Sequence, residues 1–234
     1  AFDSQTCKPG KLIVVDSGST DRTVSLAKDY GFMVEVISKS DFNHGGTRQY
    51  GVSLLDGVDV AVFLTQDAIL SDVDSFCKIL EPFHDDLVAA VCGRQLPREN
   101  AAPVEAHARL YNYSSLSFSR LITDRAIFGL KTAFISNSFA AYRVSVLREV
   151  GGFPDNVIFG EDMYVAAKML KAGYKIAYAA DDCVYHPHNY SLFQEMKRYF
   201  DLGVFHAREP GISKILGVED GEVFKLVVSD FNNL

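Results

Sequence analysis

Four short apolar runs, at residues 12–15, 33–37, 58–64 and 87–92, open the chain, and each of the first three is followed by a segment of helical pattern. This alternation is the strongest constraint on the fold. A strand that re-enters its sheet through a helix lies parallel to its predecessor, with a right-handed crossover. The expected architecture is therefore α/β, with a mostly parallel central sheet flanked by helices. Helices are expected over 23–30, closed by Gly31, and over 46–55 and 72–83. The run at 58–64 is nearly all apolar, which predicts a central strand covered on both faces.

The second half is less regular. Residues 104–121 read as a helix, 134–142 as a strand, and 144–150 as a short helix ending at Gly151-Gly152. Met163, Ala166, Ala167 and Leu170 fall at i, i+3, i+4 and i+7, which gives a helix with one buried stripe, capped by Gly173. Short strands follow at 175–179 and 183–185, then a long helix over 192–207 with Phe193, Met196, Phe200 and Val204 on one side. No repeat, low-complexity tract or linker interrupts the chain. One domain over 1–234 is expected, with a nucleotide-binding half at 1–98 and an acceptor-binding, catalytic half at 99–234. Residues 4–10 read as the end of a helix plus a turn, so the chain is expected to begin inside a fold.

A net charge of −7 argues against a nucleic-acid binder that works by neutralising phosphates. No apolar run approaches the ~20 residues needed to span a bilayer. Cys7, Cys77, Cys92 and Cys183 form no CxxC pair, so neither a zinc site nor a redox motif is indicated. Cys77 and Cys92 have apolar neighbours and read as small core residues. A reduced, cytoplasmic compartment is expected.

Polar clusters fall where the apolar runs end, and ligands of open α/β sheets bind at the carboxyl ends of strands. Asp16-Ser17-Gly18-Ser19-Thr20-Asp21 follows the first run. Asp16 there can accept hydrogen bonds from a base or ribose, while Asp21 reads better as a loop or helix cap. Asn43-His44-Gly45-Gly46-Thr47-Arg48 opens the next helix: two glycines allow close approach of an anion, and Arg48 can grip a diphosphate. A flexible turn with a surface arginine is the plainer alternative. Gln66-Asp67 ends the third run, and a divalent ion bridging Asp67 and a diphosphate is the natural use of a carboxylate at that tip.

Gly160-Glu161-Asp162 begins the striped helix. The helix dipole alone can account for acids there, and it is expected to keep Asp162 ionised as a general base. Tyr185-His186-Pro187-His188 places two histidines on one side of an extended stretch, and either can complete a metal site.

In this order the pieces resemble the inverting, GT-A-fold family 2 glycosyltransferases. The resemblance covers nearly the whole chain. It is carried by residues 14–21, by Phe63-Leu64-Thr65-Gln66-Asp67-Ala68, by Val150-Gly151-Gly152-Phe153, by Gly160-Glu161-Asp162 and by Tyr185-His186-Pro187-His188. Phe42-Asn43-His44-Gly45-Gly46-Thr47-Arg48 and residues 198–203 look more particularly like bacterial rhamnosyltransferases.

The resemblance implies roles. Asp16, with Ser17 and Gly18, contacts the nucleotide, Arg48 the diphosphate, and Gln66 the donor. Thr65-Gln66-Asp67 stands in place of an Asp-x-Asp motif, so Asp67 binds Mg²⁺ or Mn²⁺, with His186 as additional ligand. Asp162 is the catalytic base. The donor implied is a nucleotide-diphosphate sugar, dTDP-rhamnose. The acceptor implied is a saccharide or a lipid-linked saccharide of a cell-surface polysaccharide. Thr65 departs from the motif, and the family's first strand and nucleotide-contacting loop are expected before residue 1.

Two other readings compete with transfer: a nucleotidyltransferase that makes the sugar nucleotide, and a non-catalytic nucleotide-sugar binding module. Lys197-Arg198-Tyr199-Phe200 mixes basic and aromatic residues. That suits either a helix lying on the inner face of the plasma membrane or a core-packed helix with a solvated face. A homo-oligomer is compatible with all of these readings.

Overall fold

The first two strands of the computed structural model lie apart from the rest. β1 (Ile13–Asp16) runs parallel to β2 (Met33–Val36), with Ile13 opposite Met33 and Asp16 opposite Val36. α1 (Thr23–Asp29) connects them, and Gly31 follows it at φ +79°, the left-handed conformation of a helix-terminating glycine. α2 (His44–Ser53) begins at Asn43, whose side-chain oxygen accepts the Gly46 N–H at 2.6 Å. The structure describes residues 2–157, 160–186, 197, 200, 201, 203–205 and 207–217.

The remaining strands form one sheet. They are β3 (Val60–Leu64), β4 (Ile69–Leu70), β5 (Val88–Leu96), β6 (Phe118–Arg120), β7 (Phe139–Arg143) and β8 (Lys175–Tyr185), in the order β3-β7-β5-β8-β4, with β6 also on β8. β5 and β8 are parallel; β7 is antiparallel to both β3 and β5. The α/β architecture is as expected, but the sheet is mixed rather than mostly parallel. β3 is not central either. Among the described residues it lies at the sheet's edge, with only Ala61 buried and Val62 37% exposed. The central position belongs to β5, where residues 88–93 are all buried. β7 returns from the second half of the chain and inserts between β3 and β5, so the two halves share one sheet.

Alternation along β5 and β7 feeds two cores. Ala90, Cys92, Ala140 and Tyr142 face α6 (Val144–Glu149) and α7 (Glu161–Lys171), where they meet Leu147, Met169 and Leu170. Val88, Val91, Phe139 and Ala141 face α3 (Ser75–Leu80), where they meet Phe76 and Ile79. The α7 stripe centres on Val165, Ala166, Met169 and Leu170; Met163 is only half-buried.

Several boundaries differ from expectation. The helix expected over 104–121 is α4 (Pro103–Asn112), and it stops there. Ser114 Oγ accepts the Leu116 N–H at 2.9 Å, a local bond that competes with helix. The chain then enters β6, where Phe118 stacks on Tyr178 at 4.9 Å. The two short strands near the end are one strand, β8, irregular between Ala179 and Cys183. That irregularity buries Asp182 to 1% exposure, and burial pushes its carboxyl up to about 8. Phe200 is 70% exposed and therefore does not pack with Val204 on a buried side; Phe193 and Met196 lie outside the described residues. No helix among the described residues is long and apolar enough to cross a membrane.

The N-terminal segment is not the end of a helix. It folds back along α3. Gln5, 2% exposed, accepts the Phe76 N–H at 3.0 Å and donates to the Asp72 carbonyl at 2.7 Å. The Thr6 N–H donates to the Val73 carbonyl at 2.8 Å. This docking sets Cys7 beside Cys77 in a disulfide, with Cα atoms 5.4 Å apart. Cys77 is thus not a free core thiol, and the cysteine argument for a reducing compartment falls. Seventy residues separate the pair, a spacing that no sequence pattern announces. Cys92 is a free, buried thiol, as expected.

Closing a loop of that length constrains the unfolded chain. Cys7→Ser is expected to cost about 2–4 kcal/mol, seen as a lower urea midpoint. Reductant should lower the wild-type midpoint by the same amount and leave the variant unmoved. A wild-type midpoint indifferent to reductant would refute the pairing.

Candidate active site

The β3 tip turns at residues 65–68, where the Ala68 N–H donates to the Thr65 carbonyl at 3.1 Å. β4 then pairs with the end of β8, Ile69 opposite Tyr185, which brings Asp67 next to His186. Asp67 Oδ1 and His186 Nε2 are 3.1 Å apart; the Asp67 side chain is 41% exposed and that of His186 only 7%. Behind His186 lies Arg109 of α4. Its Nη2 is 3.2 Å from His186 Nδ1, and its Nη1 donates to Gln95 Oε1. Gln95 Nε2 donates in turn to Ser136 Oγ at 2.9 Å. Arg98 donates to the Asp67 carbonyl at 3.3 Å. Arg98 Nε and Thr65 Oγ1, both buried, have no hydrogen-bond partner.

The second group gathers at the start of α7, which the chain enters through Gly160 in the left-handed conformation, φ +80°. Glu161 is buried and takes Arg48 Nη1 at 2.7 Å and Asn137 Nδ2 at 3.2 Å. Asp162 accepts the N–H groups of Met163 at 2.8 Å and Asn137 at 3.3 Å. Asn137 is itself fixed by Tyr142, whose hydroxyl donates to its side-chain oxygen at 2.7 Å.

Burial, and then the neighbouring Glu161 charge, push the Asp162 carboxyl up to about 7. This reverses the direction expected from the helix dipole. A helix N-terminus contributes about 0.3–1 kcal/mol, less than one pKa unit, whereas burial beside a like charge shifts a carboxyl by several.

Residues 136–138 join the two groups. Ser136 takes Gln95, Asn137 holds Glu161 and Asp162, and the Ser138 carbonyl accepts the Thr65 N–H at 3.3 Å. These residues were expected within a strand. They run instead as loop across the strand tips, and β7 starts only at Phe139.

The other residues singled out from sequence fare differently. Asp16 turns its carboxylate into its own loop and accepts Ser19 Oγ at 2.5 Å and the N–H groups of Ser19 and Gly18 at 2.8 and 2.9 Å. These bonds, the Ser19 hydroxyl first, hold it below the usual carboxylate range. Ser17 and Gly18 lie on that loop, at the end of the two-stranded sheet. Gln66 is exposed. Arg48 Nη1 is engaged with Glu161 and the His44 carbonyl rather than open to a ligand. The glycine before it serves packing: a Cβ at Gly45 would sit 1.7 Å from the Pro154 carbonyl oxygen. His188 lies outside the described residues.

The profile of Glycosyl transferase family 2 matches residues 3–151, well over half of the chain. The chain belongs to that family. The glycosyltransferase is similar to the O-antigen chain rhamnosyltransferase RfbN of Salmonella typhimurium, with 51% identity over 235 residues covering 100% of this chain and 75% of the relative. It is 49% identical to the O-antigen chain rhamnosyltransferase WbaN of Salmonella anatum, over 100% of this chain and 74% of that one.

Solved structures share its fold. The mannosyltransferase PcManGT from Pyrobaculum calidifontis, in complex with GDP-Man and Mn²⁺, aligns at TM-score 0.66 and 18% identity over 99% of this chain and 67% of that chain. S. aureus TarS 1-349 in complex with UDP-GlcNAc aligns at TM-score 0.62 and 14% identity, over 98% and 65%. The fold is GT-A, as expected, and the protein is an enzyme, which sets aside the binding-module and nucleotidyltransferase readings.

Sequence reasoning missed Gln95, Arg98, Arg109 and Asn137 in this glycosyltransferase. Two of them left a trace. Gln95 is a polar residue just after the buried run 88–93 of the central strand, and Asn137 stands between two serines just before another buried strand. A buried polar side chain needs a partner, so each position marks a network.

Proposed function

We propose that this glycosyltransferase moves rhamnose from dTDP-rhamnose to a saccharide or lipid-linked acceptor during O-antigen synthesis, with inversion at the anomeric carbon. The sugar and the pathway rest on the two rhamnosyltransferases at 51% and 49% identity. The mechanism rests on one observation: Asp162, pushed up to about 7, is tied through Asn137 and Ser136, and then through Gln95, Arg109 and His186, to the exposed Asp67 carboxylate. A base is most effective when its pKa lies near the operating pH.

Asp162 takes the proton of the acceptor hydroxyl as that oxygen forms its bond to the anomeric carbon. The bond from that carbon to the diphosphate oxygen breaks in the same step, and its electron pair leaves with dTDP. Arg48 balances Glu161, which in turn raises Asp162. Arg98, with its unpartnered Nε, is placed to bind the departing diphosphate. Asp16, Ser17, Gly18 and Gln66 are assigned to the nucleotide.

The β3 tip suits a hard divalent cation, Mg²⁺ or Mn²⁺. It offers an outward carboxylate and the unpartnered Thr65 hydroxyl, and hard cations take one or two carboxylates plus substrate phosphates. Bound there, such an ion supplies positive charge to the leaving diphosphate. A lipid-linked acceptor would place the enzyme at a membrane surface.

Release of nucleotide and appearance of glycosylated acceptor, by mass spectrometry, should be followed with dTDP-rhamnose, GDP-mannose and UDP-GlcNAc. Turnover only with dTDP-rhamnose is expected, and faster turnover with another donor defeats the assignment. Turnover should also rise about tenfold per pH unit below 7 and level off above it, because the base is active only when ionised. A flat profile from pH 5.5 to 8 removes Asp162 as the base.

A further inference from the structure

The resemblance makes His186 an ion ligand beside Asp67, but the hydrogen bonds around its ring point elsewhere. A guanidinium carries donors only. Arg109 Nη2, 3.2 Å from His186 Nδ1, therefore requires a lone pair on Nδ1. The ring proton then sits on Nε2, which is 3.1 Å from the carboxylate oxygen Asp67 Oδ1. One neutral tautomer satisfies both contacts. A metal-bound imidazole needs the reverse: a lone pair on the coordinating nitrogen and a proton on the other, donated to a carbonyl or carboxylate.

Arg109 is not placed to withdraw. It is 7% exposed, its Nη1 is engaged by Gln95, and its guanidinium lies 5.8 Å from the centre of the Tyr113 ring. The separation alone decides nothing, since two ligands at right angles on one ion, each at ~2.1 Å, would stand ~3.0 Å apart.

We infer that His186 is a positioning residue rather than an ion ligand: Arg109 sets its tautomer, and its Nε2–H orients Asp67 Oδ1 so that the rest of the Asp67 carboxylate faces the cation and the diphosphate. The inference rests on the reading of Asp67 as the ion-binding carboxylate.

The test uses Mn²⁺ with the full chain and dTDP. Asp67→Asn should weaken Mn²⁺ binding at least tenfold by titration calorimetry; an unchanged affinity overturns the underlying reading of Asp67 and this inference with it. If Asp67 does bind Mn²⁺, pulsed electron paramagnetic resonance should show no directly coordinated imidazole ¹⁴N from His186. A ¹⁴N coupling that disappears in His186→Ala overturns the inference alone, whereas one that persists there belongs to another ring and leaves it standing. His186→Gln keeps a donor toward Asp67 and should hold Mn²⁺ within about threefold of wild type, while His186→Ala falls about tenfold. Equal losses in Gln and Ala would overturn the positioning role.

Discussion

Asp162→Asn is expected to lower turnover about 10²–10⁴-fold while donor binding is kept, because the amide fills the same space and cannot take the acceptor's proton. The same change should raise stability at alkaline pH. The folded-state carboxyl titrates about 7, above the usual carboxylate range, so the folded protein keeps a proton that the unfolded chain has already released. Stability therefore falls as pH rises from about 4 to 7, and the ionised group is a fixed cost above that.

Asparagine removes the charge, yet its NH₂ must face one of two backbone donors, whereas the hydroxyl oxygen of a protonated Asp162 can still accept there, and this loss offsets at pH 5 what the variant gains by carrying no charge. Wild type and variant should thus unfold at similar urea concentrations at pH 5, and the variant should be of order 1–2 kcal/mol more stable at pH 8. A variant no more stable at pH 8 than at pH 5, relative to wild type, would mean that Asp162 is not the strained carboxylate.

Gly45→Ala should have the largest effect on stability among the glycine substitutions in α2. Its Cβ would lie 1.7 Å from the Pro154 carbonyl oxygen and 3.5 Å from Glu161 Cβ. Backbone cannot yield as a side-chain tip can, so α2 must lift away from the loop before α7. Overpacking of this kind costs about 1–3 kcal/mol or more, even though alanine favours a helix by about 1 kcal/mol over glycine. The Arg48–Glu161 pair spans the same contact and should be disturbed with it, lowering turnover as well.

Gly51→Ala in the same helix is the control: its Cβ would meet only Val15 at 3.9 Å, and it is expected to stabilise by about 0.5–1 kcal/mol. Chemical denaturation of the two variants beside wild type checks the pair. Equal shifts would show that the Pro154 contact does not govern the site.

How far the site was legible varies residue by residue. Asp67 could be found because a carboxylate closing an apolar strand has one place to be, the strand tip. Asp162 could be found because it begins a striped helix. Its titration could not, since that depends on Asn137, Tyr142 and the Glu161 charge closing around it. Arg109 and His186 lie 77 residues apart, and Arg48 and Glu161 113. No spacing rule reaches so far.

Local pattern alone therefore determined most of the strands and helices, though not β4, β6 or the point where α4 stops, and which carboxylates stand at their ends. Backbone period and helix polarity act within a few residues, and they leave their mark on neighbouring positions. Tertiary structure alone decided that β7 enters between β3 and β5, that Cys7 reaches Cys77, that Asp162 is raised rather than lowered, and that His186 faces an arginine. Each of these depends on desolvation, or on a hydrogen bond or disulfide, between groups that meet only when distant parts of the chain pack together. Burial and donor complementarity are properties of that packing, not of the order of residues.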